Sequence, residues 1–284
     1  MNTRTLILAN THSSNKGFTL IELLVVITVL ALLMSIMVPA LQRARHVAHS
    51  TICLSNLRQL QVLWFLYADD NDGKMVSAHT GPGGVHHPDE MGWVDWDWGL
   101  YNNSVYVSEE RQRELVRNGR LYPYTDTEEI YQCSLRLPDA VNQPIFRTYA
   151  IVDSMNGFNQ PHREAILTRR DEIRSPSQRI GFVGKGYTSY SSWSVPEVDN
   201  NLWWAAVYPV HSIEQPNAFN NDYAPNHHQK GITFSLLDGS AGRRRWEDDR
   251  TLGWEFPIPS ESPYQRDNVD LQWVKRAIWG ERLR

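Results

Sequence analysis

Lys16-Gly17-Phe18-Thr19-Leu20-Ile21-Glu22 opens an apolar run that reaches Val38 with Glu22 as its only charge. From Phe18 to Val38 there are 21 residues, and about 20 helical residues cross a hydrocarbon core at 1.5 Å each. The length predicts a membrane span. A charged side chain at the centre of a bilayer costs about 2.5–3.5 kcal/mol on insertion scales, so Glu22 needs a partner or a purpose. A cleaved secretory signal would be shorter and end in a small-x-small site, whereas Val38-Pro39-Ala40 puts Pro beside any such site. Arg4 and Lys16 precede the run and Arg43 and Arg45 follow it, so the flanking charges do not orient it.

The remainder reads as a water-soluble body. The chain has 284 residues, 21% of them charged, and a mean hydropathy of −0.47, enough for one or two domains with a substantial core. A formal charge of −4 gives no support for a nucleic-acid partner, which favours a basic domain. Eleven Trp and twelve Tyr read by default as aromatic core in a sheet-rich domain, with a sugar- or partner-stacking surface as the sharper alternative. The two cysteines, Cys53 and Cys133, fit either a reduced pair or one disulfide.

Behind Pro39 a helical pattern resumes. Leu41, Ala44, Ala48, Ile52, Leu57, Leu60, Trp64 and Tyr67 recur at three- to five-residue steps and leave Arg43, Arg45, Gln59 and Gln61 mostly to other faces. The stop is expected at Asp69-Asp70-Asn71-Asp72-Gly73, where Asn, Asp and Gly supply turn chemistry. A continuous helix from Phe18 to about Asp70 would be roughly 80 Å long, a spine half in lipid and half on the body.

Gly17-Phe18-Thr19-Leu20-Ile21-Glu22-Leu23-Leu24-Val25-Val26-Ile27 resembles the processing site and helix start of type IV pilins and type II secretion pseudopilins. The resemblance implies that a membrane prepilin peptidase/N-methyltransferase cuts after Gly17 and methylates the new N-terminus at Phe18. It also implies that the basic leader, residues 1–17, stays cytoplasmic and that the body lies outside the inner membrane. Glu22 matches the family's Glu and Pro39 its helix-kinking Pro. Cutting creates a positive amine at Phe18, and the Glu22 of a neighbouring subunit could pair with it where low dielectric strengthens the attraction. The competing reading is a plain single-pass anchor whose Glu22 snorkels to the interface.

His228, nine residues, then Asp238-Gly239 is similar to the defining motif of the prepilin-type processing-associated H-X9-DG proteins. Supporting stretches run in order. They are Cys53–Leu60, Gly119-Arg120-Leu121-Tyr122-Pro123-Tyr124, Arg147-Thr148-Tyr149 before Asn156-Gly157, and Ser175-Pro176-Ser177-Gln178-Arg179-Ile180. Ser134 after Cys133, where Pro is usual, and Lys185, where an acidic residue is expected, depart from that pattern. Physically, Gly231–Leu237 is a β-like run, Asp238-Gly239 a hairpin signal, and Ser240–Trp246 a returning strand. His228 and Asp238 would then lie roughly 30 Å apart along an extended strand, too far for a catalytic pair. The expected role is structural, with Asp238-Gly239 setting a turn and His228 pinning the preceding loop.

His86-His87-Pro88-Asp89-Glu90, His211 and His227-His228 lack the spacing of a zinc motif. The Asp69–Gly73 cluster fails as an EF-hand, because aligning Gly73 with the turn glycine puts Ala68 and His79 where carboxylates are required. No cofactor is expected. Calcium in the head is known for some pseudopilins, but its ligands do not map onto residues here. No nucleophile elbow, phosphate loop or Cys-His pattern appears, so a non-enzymatic role is expected. Trp93-Val94-Asp95-Trp96-Asp97-Trp98 alternates like a strand with Trp96 and Trp98 on one face. Core packing is its default reading and a polysaccharide platform built on Trp96 and Trp98 the alternative.

A short helix is expected from Ser108, with Glu109 and Glu110 at its positive end, Arg117 near its close and Asn118-Gly119 as its stop. Strands are expected at Ile145–Val152, Arg179–Val183 and Ile232–Leu237, long loops over Gly184–Asn226, and a terminal helix near Val269–Leu283. The expected fold is α+β, with a leader at 1–17, a spine at 18–70, a head with an antiparallel sheet at 74–246 and a tail at 247–284. The expected function is a pilin-like subunit of a secretion pseudopilus or pilus-like filament whose partners are other pilin-like subunits. The alternative is a membrane-tethered recognition protein that binds polysaccharide through Trp-rich loops.

Overall fold

The structure is a computed structural model that describes residues 18–78, 91–95, 107–134, 146–157, 166–184, 192–193, 231–252 and 268–280. Helix α1 runs without a break from Leu20 to Asp70 through Pro39. Contacts divide the chain into two compact units, one up to Val47 and one from Ala48 onward.

In the second unit α1 buries Ser50, Cys53, Leu57, Leu60, Trp64 and Ala68 at the three- and four-residue steps of one helical face. Several expected face assignments change, since Leu41, Ala44 and Ala48 on the expected apolar face are exposed. Ile52 is 47% exposed, and Gln61 is fully buried. Inside, its Oε1 accepts a hydrogen bond from Ser235 Oγ at 2.9 Å, while its Nε2 finds no partner among the described residues. The helix stops where the Asn/Asp/Gly cluster requires it. The Asn71 and Gly73 N–H groups both return to Ala68 O, and Gly73 adopts φ +79°, a backbone region glycine enters freely. Arg170 Nη1 donates to Asp69 Oδ1 at 2.6 Å across this stop.

The sheet has the order β3-β1-β2-β4-β5, with β1 Tyr149–Val152, β2 Ile180–Gly184, β3 Ser192–Trp193, β4 Gly231–Leu236 and β5 Ala241–Arg245. Along β1-β2-β4-β5 each strand is antiparallel to its neighbour. The two-residue β3 adds a parallel edge beside β1 inside the stretch expected to be loop. The long helix with an antiparallel sheet is the expected α+β arrangement and fits a pilin-like fold. The strand expected from Ile145 begins only at Tyr149. Before it, the Phe146 N–H is spent on Gln112 Oε1 and that of Thr148 on Tyr131 O, so neither enters the ladder.

Each face of the sheet is covered by a helix. Toward α1, Tyr149 OH donates to Cys53 O and Ser235 meets Gln61. Between Ile180 and Val183 the β2–β4 register shifts, so Gly181 and Phe182 together oppose Ser235. A Cβ on Gly181 would collide with Gln61 Oε1, so a larger residue there would have to push the Gln61 amide off Ser235. The opposite face meets the C-terminal helix. Phe234 packs on Trp273 with ring centroids 5.2 Å apart, and Arg179 Nη2 and Ser154 Oγ both donate to Ile278 O.

Helix α2 (Glu109–Asn118) is capped by Ser108, whose side chain accepts from the Arg111 N–H. A short α3 (Asp249–Leu252) precedes α4 (Val269–Trp279). The Asn268 side chain caps α4 by accepting from the N–H groups of Asp270 and Leu271. α4 ends earlier than expected, because Gly280 at φ +78° turns the chain after Trp279. The strand expected at Trp93–Trp98 is absent over its described part. Trp93 and its neighbour Val94 are both buried, whereas an amphipathic strand would alternate. Their surroundings explain it: the Trp93 N–H goes to Ser77 O and that of Asp95 to Leu115 O, two different segments rather than one ladder. The Trp93 ring stacks on Tyr131 and meets Phe182 edge-on.

Candidate processing and assembly segment

The start of α1 is built by four residues of the opening motif. Thr19 N–H and Thr19 Oγ1 both donate to Glu22 Oε2, at 2.8 and 2.7 Å, and Glu22 N–H donates back to Thr19 Oγ1 at 3.3 Å. This is a capping box: a hydroxyl and a carboxylate three residues apart satisfy amide groups that the first helical turn leaves without partners. Its sequence signal is Thr19-Leu20-Ile21-Glu22 ahead of an apolar run, a hydroxyl followed three residues later by a carboxylate, which the pairing and snorkelling readings of Glu22 both leave out. Both Thr19 donors use Oε2. Among the described residues, Oε1 receives no donor.

The other polar side chains of the apolar run are also satisfied inside the helix. Thr28 Oγ1 donates to Val25 O at 2.8 Å and Ser35 Oγ to Leu32 O at 2.7 Å. Such bonds are what a segment surrounded by hydrocarbon requires, since no water is available to complete them. Phe18 is 78% exposed, and the large apolar side chains from Leu20 to Val38 are all exposed. Among the described residues this is the one helix long and apolar enough to cross a membrane, and it fits a single-pass anchor near the N-terminus.

The remaining predicted residues are not gathered around this segment. Gly17, His228, Trp96 and Trp98 lie outside the described residues, as do His86-His87-Pro88-Asp89-Glu90, His211, His227 and Lys185. Cys53 and Cys133 are joined in a disulfide with Cα atoms 5.3 Å apart, inside the range such bonds occupy. Ser134 beside it exchanges hydrogen bonds with His49, 3.0 Å from Nδ1 and 3.3 Å from the carbonyl oxygen. Asp238-Gly239 closes the β4–β5 hairpin. The Gly239 N–H bonds to Leu236 O at 3.0 Å and Gly239 sits at φ +90°, while Leu236 N–H returns to Ser240 O. That is a three-residue loop ending in a left-handed glycine. Asp238 Oδ1 accepts from Ser240 N–H and Oγ at 2.9 and 2.7 Å, and these bonds hold its carboxyl below the usual range.

A family model described as "Prokaryotic N-terminal methylation motif" matches residues 12–38. The match takes in Gly17, Phe18, the capping box and the whole apolar run. That motif is the type IV pilin-like signal, and it implies processing by prepilin peptidase and pilin-like assembly partners. No curated protein and no solved structure matches the chain.

Proposed function

We propose that this chain is a prepilin-type structural subunit, cut after Gly17, methylated at Phe18 and assembled into a type II secretion pseudopilus or a type IV pilus-like filament. In this reading residues 1–17 are the leader and 18–70 the spine. Residues 74–246 form the head and 247–284 the tail. The body lies on the outer side of the inner membrane. The supporting observation is the coincidence, within residues 12–38, of the methylation motif with an exposed apolar helix that carries one carboxylate. Cutting before Phe18 leaves the Thr19 N–H and hydroxyl in place, so the capping box survives processing. The new amine of a neighbouring subunit then meets Glu22 at Oε1. Pairing of that kind sets the axial register between subunits, because a charge in hydrocarbon strongly prefers a partner.

The H-X9-DG likeness of the body belongs to the same reading, with Asp238-Gly239 as the turn of its terminal hairpin and His228 in the preceding segment. Mass spectrometry of the native N-terminus tests the processing: methyl-Phe18 is expected, and an intact Met1 overturns it. Glu22→Val tests the pairing, since membrane insertion should persist while incorporation into filaments falls. Unchanged incorporation would sink it.

A further inference from the structure

On the sheet face opposite α1 a cleft of about 840 Å³ opens between α4, strand β4 and the segment leading into β2. Its volume falls in the range of small-molecule sites, about 300–1,000 Å³. The apolar wall is made by Phe234 and Leu236 from β4 and by Trp273 and Ala277 from α4. Trp273 is half-buried, with Phe234 at 5.2 Å and the Arg244 guanidinium at 4.9 Å from its ring, and the rest of its indole borders the cleft.

The charge of the lining is one-sided. Arg174, Arg179 and Arg276 border the cleft against one carboxylate, Glu172. That carboxylate is already engaged, because its Oε2 accepts from the N–H groups of Thr168 and Arg169 at 2.8 and 2.9 Å. Arg179 is 6% exposed and donates to Ile278 O, which anchors it as part of the wall. Arg174 and Arg276 are exposed and make no ion pair with any described residue. Unpaired guanidiniums beside an apolar wall match a ligand that is anionic at one end and apolar at the other, since a planar guanidinium donates a fork of hydrogen bonds to a carboxylate. Ser175, between Arg174 and the Pro176 turn, adopts φ +52°. Strained non-glycine backbone of this kind concentrates at ligand-holding loops.

We propose that this cleft binds a small organic anion, a carboxylate on an aromatic or aliphatic body, with Arg174 and Arg276 on the carboxylate and Trp273 and Phe234 against the body. Phosphate is a poorer fit, because a more heavily hydrated anion gains nothing from the apolar wall.

The test uses the full chain in detergent micelles with 4-fluorophenylacetate as probe, followed by ¹⁹F NMR line broadening. Saturable binding is expected. Arg174→Gln and Arg276→Gln should each weaken it about tenfold, the scale of one charge-assisted hydrogen bond, with the thermal midpoint unchanged because both side chains are exposed. Neutral 4-fluorophenylacetamide should bind at least as weakly as the probe binds the variants. Trp273→Phe, which keeps an aromatic ring against Phe234, should weaken the probe by a smaller factor. Binding equal in wild type and the Arg174→Gln/Arg276→Gln double variant would place the probe in the micelle and overturn the proposal. Equal affinity for acid and amide would do the same. So would inorganic phosphate competing as well as unlabelled phenylacetate, which would reduce the cleft to a generic anion site.

Discussion

Helix α1 is one element with two kinds of surface. From Phe18 to Val47 every side chain is exposed, and from Phe18 to Val38 the apolar residues surround the helix on all sides. From Ser50 to Ala68 the buried residues fall on one face and polar ones such as Arg58 and Gln59 on the other. Backbone geometry is the same in both stretches, so the difference lies in what each is built to touch. A segment apolar all round suits lipid or other helices, and an amphipathic one suits a sheet on one side and water on the other.

The sharpest way to break that contrast is to truncate one large side chain in each stretch. Trp64→Ala should cost the body about 3–5 kcal/mol, because Trp64 is fully buried and leaves a cavity. Leu30→Ala, at an exposed position, should change the same unfolding free energy by no more than about 0.5 kcal/mol. Urea unfolding in detergent reads both, and comparable losses would mean the two stretches are not energetically distinct.

A smaller effect is expected from opening the disulfide, which ties the buried stretch of α1 to Cys133 across a sequence separation of 80. Reduction, or Cys53→Ser with Cys133→Ser, should remove about 2–4 kcal/mol by releasing chain entropy in the unfolded state. Unfolding with and without reductant checks it, and no shift would show that packing alone holds α1 to the sheet. Gly181→Ala should cost about 1–3 kcal/mol through its collision with Gln61 Oε1. The cost should shrink when Gln61 is also replaced by Ala, and the double-mutant cycle measures that coupling.

The smallest effect lies at the hairpin. The Asp238 carboxyl is lowered by its bonds from Ser240, so the stability it adds is present above its unfolded value of about 3.9 and is lost as pH falls through the lowered folded value. Asp238→Asn should therefore be less stable than wild type at pH 6, and the gap should narrow as pH falls below the unfolded value and through the lowered folded one. At this exposed site the difference should stay under about 0.5 kcal/mol. A gap that does not change with pH would mean the charge plays no part.

Local features were the readable ones. Ser108 before two glutamates gave away the start of α2, Asn71–Gly73 the end of α1, and Asp238-Gly239 the β4–β5 turn, because caps and turns are satisfied by residues a few positions apart. Trp93-Val94-Asp95 was misread because its alternation imitates a strand, while its hydrogen bonds go to Ser77 and Leu115, far away in sequence. Gln61 was placed outside because its type is polar. Nothing near it in sequence announces that Ser235, 174 residues on, supplies its partner. The Arg174–Arg276 cleft was invisible for the same reason.

The order of residues alone decided that a single apolar span begins at Phe18, that it carries one carboxylate, and where the neighbouring turns and caps fall. Those properties depend on length, hydropathy and contacts within one turn of helix or one hairpin. Tertiary structure decided which face of α1 meets the sheet, that Cys53 and Cys133 are within bonding reach, that α4 covers the second face, and that two arginines with no ion pair among the described residues border an apolar cleft. Each of these brings together groups tens to hundreds of residues apart, and only the packing of the whole body sets such distances.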